Sequence, residues 1–370
     1  MLQSDIKNMN KRIVFDLYRE HLELTRVEVS KMSGISMPSV IKAVKSLVDS
    51  GILLEMGARQ TAVGRKPLDL RFNPDAISAF GVSYEGDRFS IGLVKIDGTI
   101  EARREVRLSQ VSVKSVVKLL VDSIHSITEQ VDMTNRQIAG IGAGIPGVVE
   151  PKEKKISFAP LIGVEEPVDL SALMNQIQQE TGYPVYIDND ANVMALGEML
   201  ARRVQHHERN DDLMYINHGT GLGAGMILDG DVRHGSQNLC GEIGYYITSA
   251  DAKAVRTESG WLERQVNIQA LSEKFNFDDT NPSSQDEVIE HIVRHLTPAI
   301  GNVMMLMDID LVVYGGLIPE ALGEPLIKRM NEAVNHVSFK PVRIEAQLSD
   351  EPGIVGAAAL VINYKLDELV

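Results

Sequence analysis

The feature that most constrains the fold is a regular alternation of short apolar segments with amphipathic segments, which begins after Asn73-Pro74. Apolar strands are predicted at residues 79–84, 89–95 and 138–145, and residues 113–128 show the spacing of an amphipathic helix. Such alternation is typical of α/β proteins. The part of the chain that follows Asn73-Pro74 has about 295 residues, which exceeds the usual size of a domain with a single hydrophobic core. We therefore expect two lobes with a cleft between them.

The first 75 residues follow a different pattern, in which three helices precede two strands. Thr25 and Glu28 form a capping box at the start of a short helix, and Gly34 ends that helix. Ser36 begins a third helix that runs to about Asp49. One face of the third helix is apolar. The other face carries small or basic side chains: Met37, Ser39, Lys42, Ala43 and Lys45.

A short helix, a glycine turn and a second helix with a basic outer face are typical of a helix-turn-helix. Val29 and Met32 of the short helix are expected to point into the core. Strands at residues 51–55 and 67–72 are joined by a basic segment that contains Gly64-Arg65-Lys66, which is the pattern of a β-wing. We therefore predict a winged helix-turn-helix domain over residues 1–75, with an ordinary three-helix bundle as the alternative.

The charge distribution favours contact with nucleic acid by the first domain alone. The whole chain has a net charge of −14, but residues 1–72 carry 12 lysines and arginines against 8 acidic residues. The rest of the chain is therefore strongly acidic. A basic domain on an acidic body is the asymmetry expected where only that domain contacts phosphate.

Composition also indicates the cellular setting. No apolar stretch reaches the roughly 18 residues that a membrane span needs, and no secretory signal follows Met1. Cys240 is the single cysteine, so neither an internal disulfide nor a cysteine-cluster metal site is expected. These features predict a cytoplasmic protein with no membrane partner.

Five motifs follow the first domain in a fixed order. They are Gly-Ile-Gly-Ala-Gly-Ile-Pro-Gly at 140–147, Asn-Asp-Ala-Asn at 189–192, His-Gly-Thr-Gly-Leu-Gly-Ala-Gly at 218–225, Gly-Glu-Ile-Gly at 241–244 and Gly-Trp-Leu-Glu at 260–263. With these motifs the chain resembles the ROK family (repressors, open reading frames and kinases) over essentially its whole length. The resemblance implies a two-lobed actin-like ATPase (ribonuclease H-like) fold with a sugar between the lobes. Residues 76–370 are therefore expected to form an effector-binding and dimerisation domain.

The phosphate-binding hairpin of the family's kinases is altered in this chain. The resemblance places Ser83 at the position of the aspartate that organises Mg²⁺, and Glu85 and Asp87 where phosphate passes. Carboxylates beside a triphosphate repel it by several kcal/mol, and phosphoryl transfer depends on charge neutralisation. We therefore predict that kinase activity is lost and that no cofactor is bound. The glycine-rich segment at residues 219–223 is either a residual phosphate cradle or a tight turn.

The sugar site of the family is better preserved. The resemblance makes Asp190 the relic of the kinases' general base, which can still accept a hydrogen bond from a sugar hydroxyl. Asn189 offers a donor and an acceptor beside it, and Glu242 and Glu263 match glutamates that hold further hydroxyls. Tyr245 is expected to stack on a sugar face. Carboxylates suit such ligands because charged acceptors strengthen hydrogen bonds from hydroxyl groups.

Three departures from the family pattern affect the metal and the sugar. Tyr245 replaces a zinc-binding histidine, and residues 246–260 contain no cysteine, so no metal is predicted. Trp261 replaces an expected cysteine, and it either stacks on the sugar or fills the space of the zinc loop. Residues 161–164 lack the family's sugar-contacting asparagine, so the effector is expected to differ from glucose or to occupy a looser and more apolar pocket.

The leading hypothesis is a transcriptional repressor of carbohydrate uptake or catabolism genes, acting as a homodimer or a dimer of dimers. Its expected partners are double-stranded operator DNA and a small carbohydrate effector. Two alternatives remain: an active ATP-dependent sugar kinase with a fused DNA-binding domain, and a constitutive DNA-binding protein with a non-functional cleft. The residues predicted to contact DNA are Met37, Ser39, Lys42, Lys45, Arg65 and Lys66.

Overall fold

A computed structural model gives the architecture of the chain. It describes residues 3–58, 68–85, 88–107, 113–134, 136–208, 210–248, 260–278 and 285–368. Three helices and a small antiparallel sheet form the N-terminal part. Its elements are α1 (Gln3–His21), β1 (Glu23–Leu24), α2 (Arg26–Ser33), α3 (Met37–Asp49), β2 (Leu53–Ala58) and β3 (Leu68–Phe72). The strand order is β1-β3-β2, so β3 pairs with both neighbours.

The turn between α2 and α3 forms largely as the sequence predicts. Thr25 and Glu28 make the reciprocal capping box, and Gly34 ends α2 in the left-handed conformation at φ 69°. Ser36 is the residue before α3, but its hydroxyl makes no capping hydrogen bond with the helix backbone. The hydroxyl lies 3.0 Å from that of Ser39 instead.

Two predictions about side-chain direction in these helices are wrong. Met32 was expected to point inward but is 49% exposed. Ala43 was expected on the outer face of α3 but is buried together with Val40, Val44 and Leu47. The periodicity locates a helix face to within about one residue, so residues at the edge of a face are assigned least securely.

The first lobe is built on a five-stranded mixed sheet, covered on one face by two helices. The sheet order is β11-β7-β4-β5-β6, with β4 parallel to β7 and β7 parallel to β11. A small three-stranded sheet of order β10-β9-β8 lies beside it. The elements are β4 (Ile77–Glu85), β5 (Arg88–Lys95), β6 (Ile100–Arg107), α4 (Val113–Thr128), β7 (Gln137–Ile145), β8 (Val148–Glu150), β9 (Lys155–Phe158), β10 (Val168–Asp169), α5 (Ser171–Thr181) and β11 (Val185–Asn189).

The second lobe repeats this plan with the strand order β14-β13-β12-β15-β16. Its largest apolar cluster lies between the sheet and α7 to α10. The elements are α6 (Asp190–His206), β12 (Leu213–His218), β13 (Leu222–Leu228), β14 (Asp231–Val232), α7 (Glu263–Val266), α8 (Ile268–Phe275), α9 (Gln285–Met307), β15 (Leu311–Gly315), α10 (Leu317–Val337), β16 (Arg343–Ala346) and α11 (Pro352–Glu368).

Helices α6 and α11 lie between the two sheets. α11 packs on the first sheet, α6 packs on the second, and the two helices pack on each other. Gly197 of α6 faces the Pro352 carbonyl, and Gly356 of α11 faces the Val193 carbonyl, so closely that a Cβ atom at either glycine would overlap the opposing backbone. The small residues of the C-terminal segment therefore allow close packing of two helix backbones.

The N-terminal part shares one apolar cluster with the first lobe. Phe72 of β3 and Ile77 of β4 belong to the same buried cluster, together with Ile354 and Val361 of α11. Within the described segments, no helix is both long enough and apolar enough to cross a lipid bilayer.

Candidate functional site

A cavity of about 110 Å³ lies between the lobes, near the carboxyl ends of β7, β11 and β12. This is the edge at which ligands bind in open α/β sheets. We call it the interlobe cavity. All five residues predicted to bind the effector line it: Asn189, Asp190, Glu242, Tyr245 and Glu263. Further walls come from Tyr84, Glu85 and residues 146–148, 158–160 and 219–223.

Asn189 ends β11 and caps α6. Its side-chain oxygen accepts a hydrogen bond from the Asn192 amide at 3.1 Å, and its side-chain nitrogen donates to the Gly147 carbonyl at 2.8 Å. Both ends of the Asn189 amide are therefore engaged by backbone. This arrangement fixes the start of α6 and the direction of the next residue.

Asp190 is the first residue of α6 and projects into the cavity. Its Oδ1 accepts a hydrogen bond from the Ala191 amide at 2.9 Å. Burial raises the pKa of Asp190 to about 6, although these backbone contacts lower it in part. The side chain is thus an acceptor whose charge is poorly solvated, and a bound hydroxyl would stabilise the ionised form.

Glu242 and Tyr245 come from the loop that follows β14. Gly241, at φ 94°, lets this loop pass against the Ala224 carbonyl of β13, where a Cβ atom would overlap it. Burial raises the pKa of Glu242 to about 7, and the charges of Asp190 and Glu263 add to the shift. Burial likewise raises the pKa of the Tyr245 phenol to about 12. Both side chains therefore take part in one electrostatically coupled group.

Glu263 begins α7 and is only 9% exposed. Its Oε2 accepts a hydrogen bond from the Leu222 amide at 2.9 Å, which ties α7 to the glycine-rich loop. Trp261, two residues earlier, packs against the apolar cluster of the second lobe. It lies outside the lining of the interlobe cavity. Of the two roles expected for Trp261, the structure favours filling space over stacking on a sugar.

The segment at residues 158–164 forms part of the cavity wall. Phe158, Ala159 and Pro160 line the cavity, and Gly163 closes a short turn at φ 75°. These three side chains make this part of the wall apolar.

A second cavity of about 410 Å³ adjoins the first, and we call it the acid-lined cavity. Ser83 lines it, as does Glu85, which lines both cavities. Asp87 lies outside the described residues. The acidic residues in its wall are Glu85, Glu105, Glu320, Asp350 and Glu351, and the basic residues are Arg88 and Arg103.

The glycine-rich loop at residues 219–223 borders the interlobe cavity. The amide of Gly219 donates to the Gly221 carbonyl at 2.9 Å, and that of Leu222 donates to Glu263. Two amides that a phosphate cradle would use are thus engaged within the protein. The geometry favours a tight turn over a phosphate site.

Two buried polar groups near the cavity were not found by sequence reasoning. Asp188 accepts hydrogen bonds from Asn192 at 3.0 Å and from His234 at 2.8 Å, so it links β11 to the loop after β14. His218 lies 2.5 Å from the Tyr314 hydroxyl and 2.8 Å from the Val266 carbonyl. Burial lowers the pKa of His218 to about 4. Asp188 precedes the motif at residues 189–192 and His218 begins the motif at residues 218–225, but the residues that they contact are distant in sequence.

No cluster of three or more potential metal-ligating side chains occurs in the described segments. Cys240 is partly buried, with its Sγ 3.4 Å from the Met226 sulfur. Residues 249–259, which make up most of the segment expected to carry the family's zinc cysteines, lie outside the described residues.

Four of the six residues predicted to contact DNA lie on α3. Lys42 and Lys45 are exposed, and Met37 and Ser39 are partly exposed. Arg65 and Lys66 lie outside the described residues.

The fold and site define a class: a two-lobed α/β protein with a carboxylate-lined cavity between its lobes and a small helical part at its N-terminus. Residues 79–364 match the ROK family. The chain belongs to the ROK family.

Comparisons with similar proteins support this assignment. A xylose repressor of Caldicellulosiruptor bescii is 26% identical over 98% of this chain and 97% of its own length. The crystal structure of a ROK family transcriptional regulator, a homologue of the E. coli MLC protein, has a TM-score of 0.75 at 22% identity, covering 98% of both chains. A ROK family glucokinase from Streptomyces griseus, in complex with glucose and AMPPNP, has a TM-score of 0.63 at 21% identity and covers 77% of this chain and 99% of its own.

These likenesses show an α/β fold common to ROK regulators and ROK sugar kinases. The two proteins above that match this chain over almost its full length are a repressor and a transcriptional regulator, whereas the glucokinase matches only about three quarters of this chain. The comparisons therefore support a regulator in preference to a kinase.

Proposed function

We propose that this protein is a DNA-binding transcriptional repressor of sugar-utilisation genes, released by a sugar or sugar derivative bound in the interlobe cavity. The observation that carries the proposal is the convergence of Asp190, Glu242 and Glu263 on one cavity, beside a second cavity whose wall is rich in carboxylates. The first arrangement suits a ligand rich in hydroxyl groups. The second opposes a nucleoside triphosphate.

The roles of the site residues follow from their chemistry. Asp190 and Glu242 accept hydrogen bonds from sugar hydroxyls, and Glu263 does so while anchoring the glycine-rich loop. Asn189 positions Asp190, and Tyr245 packs on the sugar ring. These roles fit the raised pKa values of Asp190 and Glu242, because a hydroxyl donor supplies the stabilisation that water would otherwise give.

DNA recognition belongs to the N-terminal part, which we interpret as a winged helix-turn-helix domain of residues 1–75 followed by a ligand-binding domain of residues 76–370. The order α1-α2-α3-β2-β3, with β2 and β3 antiparallel, supports this interpretation. Helix α3 enters the major groove, where Met37, Ser39 and Lys42 face bases and Lys45 contacts phosphate. The segment with Arg65 and Lys66 contacts the minor groove as the wing.

The protein acts in the cytoplasm, where its DNA target lies, as a homodimer or a dimer of dimers. A two-fold assembly presents two copies of α3 to a two-fold operator. Sugar binding changes the closure of the two lobes and with it the spacing of the two α3 helices. This is allostery if the sugar affinities of free and DNA-bound protein differ.

A titration against sugars tests the site. Isothermal calorimetry of the purified chain with xylose, glucose and N-acetylglucosamine should find at least one ligand, and Glu242→Gln should abolish its binding. Binding that survives in Glu242→Gln would contradict the site. A coupled ATPase assay on the same samples should show no sugar-stimulated turnover, and turnover abolished by Asp190→Asn would establish the kinase alternative.

A further inference from the structure

A fourth carboxylate borders the interlobe cavity beside the three assigned to sugar hydroxyls. Glu85 is the last residue of β4, and it lines both the interlobe cavity and the acid-lined cavity. Its side chain therefore lies where the two cavities meet. Asn217 is the other residue that lines both cavities, so a substituent that extends from a bound sugar toward the acid-lined cavity passes between Glu85 and Asn217.

The interlobe cavity offers little to neutralise an added negative charge. Among its described lining residues there is no lysine, arginine or histidine. The guanidinium of Arg88 is the cation paired with Glu85, at 3.7 Å, and it lines the acid-lined cavity only. Burial raises the pKa of Glu85, the charge of Arg88 lowers it in part, and the charge of Asp190 raises it, so the carboxylates of Glu85 and Asp190 repel each other before any ligand arrives.

At least three of the five residues in the glycine-rich loop already use their backbone in contacts within the protein. The amides of Gly219 and Leu222 in the glycine-rich loop already donate within the protein. Gly223 pairs with Asn217 in the β12–β13 ladder. A phosphate group needs several such donors or a positive side chain to balance its loss of hydration.

We propose that the interlobe cavity accepts unphosphorylated sugars only, and that Glu85 is the residue that excludes a sugar carrying phosphate on the hydroxyl next to Asp190. This inference rests on the sugar site proposed above and specifies its ligand class. The effector is thus the sugar as it exists before phosphorylation. A reaction that phosphorylates the sugar removes the effector and restores DNA binding.

Matched pairs of ligands test this specificity. Calorimetric titrations would use xylose, glucose and N-acetylglucosamine beside the 1- and 6-phosphates of the last two. For every sugar that binds, the phosphorylated form should bind at least about 100-fold more weakly. Glu85→Gln keeps the shape of the side chain and removes its charge. In this variant the ratio of the dissociation constants of the phosphorylated and the free sugar should fall by about tenfold.

A charge-matched control separates a local effect from a general one. Glu105→Gln removes a carboxylate from the acid-lined cavity at a position outside the interlobe cavity, and it should leave the discrimination unchanged. Circular dichroism and thermal unfolding check that both variants fold. If Glu85→Gln does not fold, Glu85→Gly replaces it in the titrations.

The outcomes are distinct. A phosphorylated sugar that binds wild-type protein as tightly as its free form overturns the inference and leaves the sugar site standing. Equal discrimination in wild type and Glu85→Gln overturns the role of Glu85. Failure of every free sugar and every phosphate to bind contradicts the proposed sugar site and this inference with it.

Discussion

At the scale of single residues, the main feature is a group of carboxylates held close together in a poorly hydrated cavity. The pKa of Asp190 rises to about 6 and that of Glu242 to about 7, mainly because of burial. Without ligand, ionising these groups costs free energy near neutral pH. A ligand with several hydroxyl donors recovers part of this cost, so ligand affinity and protonation are linked.

Sugar affinity should therefore depend on pH. Hydroxyl donors favour ionised Asp190 and Glu242, so affinity should be highest above pH 7 and fall by about tenfold between pH 7.5 and 5.5. Calorimetry across that range in matched ionic strength measures it. An affinity that is constant, or that increases on acidification, would contradict the role of these carboxylates as acceptors.

The same carboxylates should destabilise the empty protein. The folded-state pKa of Glu242 is raised above its ordinary value of 4.5, so the folded state binds more protons and stability decreases as pH rises through the interval from 4.5 to about 7. Glu242→Gln should therefore raise the thermal midpoint at pH 8 by about 2–4 °C, with a smaller gain at pH 5. Scanning calorimetry measures both.

Glu153→Gln, at an exposed position, is the matched control and should have no effect at either pH. A midpoint for Glu242→Gln that is lower than wild type at pH 8 would show that the glutamate stabilises the empty cavity.

At the scale of elements, α6 connects the cavity with the N-terminal part. It begins at Asp190 and spans about 26 Å over its 17 residues. Near its other end, buried Arg203 lies 3.5 Å from Asp16 of α1, and His207 stacks on His21. Because α6 and α11 pack backbone to backbone, a shift at Asp190 can reach α1 without bending the helix.

Arg203→Met should therefore weaken the coupling between sugar and DNA. Asp16 keeps Arg19 as a partner at 2.6 Å, and the carboxylate of Asp211, which Arg203 also contacts at 2.7 Å, remains accessible to water. The variant should therefore fold and bind sugar normally. The sugar-induced change in operator affinity should fall at least threefold, as measured by fluorescence anisotropy.

Arg329→Met, which removes an ion-paired arginine from the surface of α10, is the control and should respond like wild type. A full sugar response in folded Arg203→Met would exclude this contact as the connection.

Helix α3 should provide phosphate contacts that are independent of sequence. Lys45→Ala should weaken operator DNA and unrelated DNA alike, and it should reduce the slope of log affinity against log salt by about 1. Lys118→Ala, at an exposed position of α4 in the first lobe, changes the charge equally and should leave the slope unchanged. Unequal losses on the two DNAs would indicate base recognition by Lys45 instead.

Local sequence signals predicted most elements, because caps, glycines and apolar spacing act over a few residues. The capping box at Thr25 and the turn at Gly34 are examples. The errors at Met32 and Ala43 arose where a residue lies at the edge of a helix face, since packing against α1 and the strands decides such positions.

At the scale of the whole molecule, the motif order predicted that Asn189, Asp190, Glu242, Tyr245 and Glu263 would meet in one cavity. Contacts between segments that are distant in the chain could not be predicted from the sequence. The link from Asp188 to His234 and the contact between α1 and α6 depend on how the lobes and the N-terminal part pack. The same holds for the place of Glu85 between two cavities, which no local pattern encodes.

The most direct test of a sugar-responsive repressor is the affinity for DNA upstream of its own gene, measured by fluorescence anisotropy with and without saturating sugar. The proposed function predicts that the wild-type protein binds this DNA tightly in the absence of sugar and at least tenfold more weakly in its presence. In Asp190→Asn, sugar should leave the affinity for DNA unchanged. Equal affinity under both conditions for the wild-type protein would contradict it.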